Sequence, residues 1–273
     1  MLKPWLLSAK NPLPYTTRLG AGVCAALFDF DGTLSLIRTG WQQVMVPMMV
    51  DFLRELKSGE GDREIRSIVE ETVWQLTGKD TIYQMEALAD LVRQRSGNPW
   101  DPLAYKREYL GRLNHAIAAR IEGLRSGAVR PDSLLVPGAR AFVEALCERG
   151  VRLYLASGTD HGDVTEEARL LKIDQYFGDR IFGARDDRSF SKAHLVRQIL
   201  STAEFSPEHL IVFGDGYVEI EEVKKAGGRA IGVATCEPEC LLINEWKRQR
   251  LSAVGADMIV ANFLCRDLLL SLC

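Results

Sequence analysis

The chain has 273 residues, 47% of them apolar and 26% charged, with a formal net charge of −3. This is the composition of a folded globular chain, long enough for one large domain or a core with a smaller unit, and it excludes a disordered or collagen-like polymer. The slightly acidic balance, without any basic tract, argues against nucleic acid or an anionic membrane as partner, and no apolar run reaches membrane-spanning length.

In chain order, Met1 to Ser8 is too short in its apolar part for a secretory segment, and Lys10 and Pro12 follow closely, so a cytoplasmic location is expected. The apolar run Val23 to Phe28 reads as a buried strand and closes on Asp29-Phe30-Asp31-Gly32-Thr33. From about Gly40 to Arg130 the period is helical, with predicted helices at Trp41–Lys57, Asp62–Leu76, Asp80–Arg95 and Pro102–Arg125, separated by Gly and Pro turns. Trp41 and Met45, at i, i+4 spacing, read as core of that helical unit.

After Leu135 the pattern alternates. Helices are predicted at Ala139–Arg149, Asp163–Leu171, Lys192–Ser201, Ile220–Ala226 and Leu241–Ala253, and strands at Val151–Ala156, Arg180–Phe182, Leu210–Phe213, Arg229–Val233 and Met258–Val260. Strands alternating with helices give βαβ units and a parallel sheet. The expected architecture is therefore α/β: a Rossmann-like, three-layer core formed by residues 1–36 and 134–273, with an all-helical insertion over 37–133. Segments 34–39 and 130–137 should be the two hinges and lie side by side.

Residues two apart on a strand face the same side, so Asp29 and Asp31 can address one atom. A carboxylate there can attack phosphorus while its neighbour shuttles a proton. Taken alone, the pair also fits a strand ending in an Asp-Gly turn whose carboxylates only cap backbone donors. Three later features weigh against that reading. Val151 to Ala156 runs into Ser157-Gly158-Thr159, suited to hold a phosphoryl oxygen. Ser191-Lys192 opens a helix with a cation able to neutralise a transferring group. Leu210 to Gly214 runs into Asp215 and Glu219, hard oxygen donors that suit Mg²⁺.

This ordered set, DxDGT, a strand ending in Ser, then Lys, then GDxxxE, resembles the haloacid dehalogenase-like hydrolase superfamily, specifically its phosphatase branch with a helical cap inserted after the first strand. The resemblance runs from Val23 to about Phe263. It implies Asp29 as nucleophile, Asp31 as general acid and base, and Ser157, Gly158 and Lys192 as phosphate-orienting groups. It also implies Mg²⁺ held by Asp29, the Asp31 carbonyl and Asp215, with Glu219, where the family often has Asp, supporting the metal's water shell. The expected activity is Mg²⁺-dependent hydrolysis of a small phosphorylated metabolite such as a sugar phosphate. A phosphosugar mutase shares every motif, and a non-catalytic ligand-binding module is the third reading. A monomer or a homodimer is expected.

Substrate contacts are harder to place. Thr77 and Lys79, in the polar turn Leu76 to Thr81, either dip toward the phosphate or belong to a turn capped by Thr77 or Asp80. Arg38 leaves the catalytic loop and either faces ligand or pairs with an acid. His161 either contacts substrate or caps a helix, and Arg185-Asp186 before Lys192 carries a similar ambiguity. Cysteines 24, 147, 236, 240, 265 and 273 have no disulfide spacing and read as reduced core thiols. Cys236-Glu237-Pro238-Glu239-Cys240 lacks a second ligand pair for a metal site.

Overall fold

A computed structural model describes residues 22–186, 190–202 and 205–273; the reading of Met1 to Pro12 lies outside the described residues. Strand β1 (Ala25–Asp29) is buried along its whole length, as a central parallel strand covered on both faces must be. Four helices follow before the chain returns to the sheet: α1 (Gln42–Glu55), α2 (Asp62–Leu76), α3 (Thr81–Gln94) and α4 (Pro102–Ser126). Asp101 caps α4 by accepting from the Leu103 N–H, and Gly127, at φ 77°, ends it in the left-handed region that suits glycine.

The chain re-enters the sheet layers through α5 (Ala139–Glu148), β2 (Arg152–Asp160), α6 (His161–Leu170), α7 (Asp174–Phe177), β3 (Ile181–Ala184) and α8 (Lys192–Thr202). It finishes with β4 (Leu210–Gly214), α9 (Tyr217–Lys225), β5 (Arg229–Val233), α10 (Glu245–Ala253), β6 (Met258–Val260) and α11 (Arg266–Ser271). All pairings are parallel, in the order β3-β2-β1-β4-β5-β6. Strand order therefore reverses at β1, and the crevice at the carboxyl ends of β1 and its neighbours is where such sheets bind ligands.

One face of the sheet is sealed by aromatic rings. Phe28 stacks on Phe213 with centroids 4.7 Å apart, and Phe142, Phe177 and Phe263 pack around them. The segments flanking the inserted helices pair: Leu36 N–H donates to the Leu134 carbonyl, and Val136 N–H to that of Leu34. Arg120 of α4 donates to the carbonyls of Ile37 and Thr39, tying the insertion to its own entry strand.

Several boundaries differ from the sequence reading. The last long helix begins at Glu245 instead of Leu241, because the Asn244 side chain accepts from the Lys247 N–H and sets the helix start there. Leu241, Leu242 and Ile243 precede it as exposed loop residues. Strand β2 continues to Asp160 through a register shift against β3 between Ser157 and Asp160. The reduced-core-thiol reading needs correction too. All six cysteines are free, but only Cys240 is buried, and Cys24, just ahead of β1, is exposed. Among the described residues no helix is long and apolar enough to cross a membrane.

Candidate active site

The site is assembled from strand ends. Asp29 ends β1 in register with Ala156, so Ser157 is the first β2 residue past that pairing. Asp215 follows β4, and Lys192 opens α8. Between β1 and the insertion the chain folds back on itself, with the N–H groups of Thr33, Leu34 and Ser35 converging on the Phe30 carbonyl. Gly32 is required in this turn twice over. Its φ is 75°, and a Cβ would lie 2.6 Å from Asp215 Oδ2.

Lys192 Nζ lies 2.5 Å from Asp29 Oδ1 and 3.3 Å from Glu219 Oε2, all three groups being buried. Asp31 Oδ2 accepts from two hydroxyls, Ser157 at 3.0 Å and Thr159 at 2.8 Å, and the Thr159 N–H donates to Ser157 Oγ. The other oxygen of Asp31, Oδ1, is buried without a hydrogen-bond partner, as are both oxygens of Glu219. Gly214 and Gly216 leave room for Glu219, since a Cβ on Gly214 would meet its Oε1 at 2.3 Å. Lys247 of α10 reaches in from the other side, 2.8 Å from Asp215 Oδ2 and 3.3 Å from Glu237 Oε1.

Electrostatics separate these acids. Burial pushes the Asp29 carboxyl well above the usual carboxylate range; Lys192 opposes this, and the Glu219 and Asp215 carboxylates reinforce it. Burial also pushes Asp215 up, but Lys247 and a hydrogen bond from Asp29 outweigh it and hold Asp215 below its usual range. For Lys192, burial favours the neutral amine, yet Asp29 and Glu219 keep the ammonium and raise it further. Asp29, Asp215, Glu219 and Glu237 thus face two ammonium groups, and the carboxyls of Asp29 and Asp215 touch. An excess of hard oxygen donors of this kind fits a small divalent cation such as Mg²⁺. Among the described residues no three His, Cys, Asp or Glu side chains form a metal-ligating group, so a cation here would need main-chain oxygen as well.

The roof comes from the insertion. Gly78, at φ 94°, rests on Gly216, where a Cβ would be 2.9 Å from the Gly216 Cα. Gly158 lies under the Lys79 carbonyl and Asp80. Arg250 of α10 donates to the Trp74 and Gln75 carbonyls at the end of α2 and lies over the Tyr217 and Trp246 rings, fixing the turn that follows. Lys106 of α4 joins Asp160 at 2.5 Å and Asp186 at 3.0 Å. The cavity beneath this roof is open to solvent on one side and has a volume of about 100 Å³.

Of the residues singled out in the sequence, Asp29, Asp31, Ser157, Gly158, Lys192 and Asp215 line this cavity, and so do Thr77, Lys79 and Arg38. Arg38 resolves its ambiguity by doing both: its guanidinium is bound by Glu167 at 2.7 Å and Asp163 at 3.0 Å while it borders the cavity. Glu219 does not line the cavity but faces Lys192 from below. His161 is corrected. Because β2 runs on to Asp160, His161 is carried beyond the cavity, and its backbone packs against Gly183 of β3. Asp80 occupies the N-cap position of α3 without a capping hydrogen bond from its side chain. Thr77 instead donates to the Val73 carbonyl. Trp41 and Met45 meet the expectation of core, Met45 being buried and Trp41 packed against the same cluster, and both also border the cavity.

Sequence reasoning set Thr159 at the phosphoryl end of β2 without its bond to Asp31, and missed Lys247 and the pairing of Glu237 with it. Thr159 carried a signal, a hydroxyl two residues from Ser157 on one strand, whereas nothing local marks Lys247 or Glu237.

An open doubly wound sheet with its acids gathered at the switch point defines a Rossmann-like α/β protein with a site at the carboxyl edge. Within that class the chain belongs to the haloacid dehalogenase-like hydrolases, whose family model matches residues 24–227. A phosphorylated carbohydrates phosphatase from Thermotoga maritima is 28% identical over 91 residues, 33% of this chain and 42% of that relative. The chain thus matches less than half the length of this curated relative. Among solved structures, a predicted phosphoglycolate phosphatase from Haemophilus somnus aligns at TM-score 0.57 with 17% identity, covering 90% of this chain and 96% of that one. CbbY from Rhodobacter sphaeroides, solved with phosphate, aligns at TM-score 0.56 with 21% identity, covering 88% and 95%. These two likenesses are of fold.

Proposed function

We propose that the protein is a Mg²⁺-dependent phosphatase that hydrolyses a small phosphorylated metabolite, a sugar phosphate being the favoured class, through a phosphoryl group carried on Asp29. The observation that carries this reading is the convergence of Asp29, Asp31, Ser157, Lys192 and Asp215 on one cavity beneath the Thr77–Lys79 turn. The phosphatase relative from Thermotoga maritima supports the substrate class. Residues 37–133 act as a cap over residues 22–36 and 134–273, and the free cysteines suit a reducing, cytoplasmic setting.

In this reading Asp29, Asp215 and the main-chain carbonyl of Asp31 hold Mg²⁺, which when bound offsets the negative charge of the acids and of the phosphoryl oxygens. Lys192, Ser157 and the N–H groups around Gly158 orient those oxygens. An Asp29 carboxylate oxygen forms a bond to phosphorus as the ester P–O bond breaks, and the leaving oxygen takes a proton from Asp31. Asp31 then accepts a proton from water as the water oxygen bonds to phosphorus, and the Asp29–phosphorus bond breaks to regenerate the carboxylate. The roof excludes bulk water during both transfers.

The test is a Mg²⁺-supplemented phosphate-release screen over phosphorylated sugars, acids, nucleotides and polyols, with Asp29→Asn as blank. Release of inorganic phosphate from a sugar phosphate, absent in the blank, is expected. An isomerised sugar phosphate without net phosphate release would replace hydrolysis by mutase chemistry, and no reaction with any ester would refute the enzymatic reading.

A further inference from the structure

We propose that Thr159 is a positioning residue for Asp31: together with Ser157 it pins one carboxyl oxygen so that the other is presented for proton transfer. The inference rests on the phosphatase reading and adds a residue to it.

Asp31 is held asymmetrically. Two hydroxyls donate to Oδ2, from Ser157 at 3.0 Å and Thr159 at 2.8 Å, while Oδ1 is buried and unpartnered. A buried polar atom without a partner is costly and calls for an explanation in function. The torsion that orients a carboxyl group is broad, so nothing intrinsic to Asp31 selects which oxygen is left without a partner. The two hydroxyls make that selection. With both donating to Oδ2, a proton carried by Asp31 resides on Oδ1, the oxygen free to give it up.

The two anchors are not equivalent. Ser157 Oγ also accepts the Thr159 N–H and belongs to the set that would hold the phosphoryl group, so its interactions are divided. Thr159 Oγ1 donates to Asp31, and its β-branched side chain has few rotamers in which to swing away. Ser157 and Thr159 are two apart on β2, and Thr159 lies within the register shift against β3 between Ser157 and Asp160.

As Asp29 bonds to phosphorus, the ester P–O bond breaks, its electron pair stays on the leaving oxygen, and the Oδ1 proton of Asp31 neutralises that oxygen. An alkoxide leaving group needs this proton; p-nitrophenolate, a weak base, does not.

The experiment compares an alkyl phosphate ester identified by the screen with p-nitrophenyl phosphate, for wild type, Thr159→Val, Thr159→Ser and Asp31→Asn, following the first-turnover release of each leaving group, which precedes the water step. Loss of one hydrogen bond to a charged group predicts that Thr159→Val lowers kcat on the alkyl ester about ten- to a hundredfold. KM should stay within about twofold, first-turnover release of p-nitrophenolate within about threefold, and Thr159→Ser should restore the alkyl rate, as expected for an effect on proton transfer to the leaving group. Should Thr159→Val fail to fold by circular dichroism, Thr159→Ala is measured under the same criteria. Equal losses on both esters, a change confined to KM, or no rescue by Ser would overturn the proposal. Asp31→Asn separates the two levels of the argument: if it discriminates between the esters and the Thr159 variant does not, only the role of Thr159 falls. If Asp31→Asn treats both esters alike, the acid role of Asp31 falls first.

Discussion

Replacing Asp80 by Asn should stabilise the protein at neutral and alkaline pH and have little effect in acid. Asp80 sits in the turn that roofs the cavity, 9% exposed, with no capping hydrogen bond from its side chain. Burial pushes its carboxyl up from 3.8 to about 6; Lys192 and Lys106 pull it back in part, and Asp160 adds to the rise. A carboxyl raised on folding binds its proton more tightly in the folded state, so its contribution is fully present below the unfolded pKa and lost as pH rises through the folded one. The shift corresponds to about 3 kcal/mol of stability lost by pH 8 and about half of that by pH 5, each pKa unit being worth about 1.4 kcal/mol. Asn is uncharged throughout and escapes this loss. Urea unfolding of both proteins near pH 5 and pH 8 measures it as a stability difference that widens with pH, all other titrating groups being shared. A variant less stable than wild type at pH 8, with the deficit growing as pH rises, would mean that charged Asp80 pairs productively with Lys106 or Lys192, and would refute the reasoning.

Lys192→Met leaves Asp29 and Glu219 facing each other in a buried site. Breaking one side of such a pair costs about 3–5 kcal/mol, so thermal unfolding should drop markedly along with phosphate release; an unchanged melt would mean that the carboxyls take up protons at little cost. Gly78→Ala combines a positive φ with a Cβ 2.9 Å from the Gly216 Cα, displacing the roof turn. A strain of about 1–3 kcal/mol is expected to appear as an approximately tenfold or larger rise in KM by initial-rate kinetics, and an unaltered KM would exclude this turn from substrate binding. Chelation with EDTA should abolish phosphate release and excess Mg²⁺ restore it; full activity in chelator would remove the metal from the proposal.

The sheet was legible because each strand is a short apolar run that ends in its own chemistry: Asp29, Ser157 and Asp215 each terminate such a run, and burial on both faces leaves little ambiguity. The inserted helices were legible from period and glycine punctuation. Long-range contacts were not. Lys247 meets Asp215 only because α10 folds back beside the site, and Arg38 meets Glu167 across 129 positions. No window of sequence carries such pairings. Thr159 was visible as a residue, but its partner Asp31 lies far away in sequence. His161 was misplaced because β2 continues from Ala156 to Asp160, which carries it past the cavity.

The central claim is that Asp29 carries the phosphoryl group. Rapid acid quench during turnover of a substrate found by the screen, followed by peptide mass analysis, tests this directly. One phosphoryl group on the peptide containing Asp29, absent from Asp29→Asn, is the predicted result. Steady-state turnover by Asp29→Asn at the wild-type rate, or a phosphoryl group found on another residue, would contradict it.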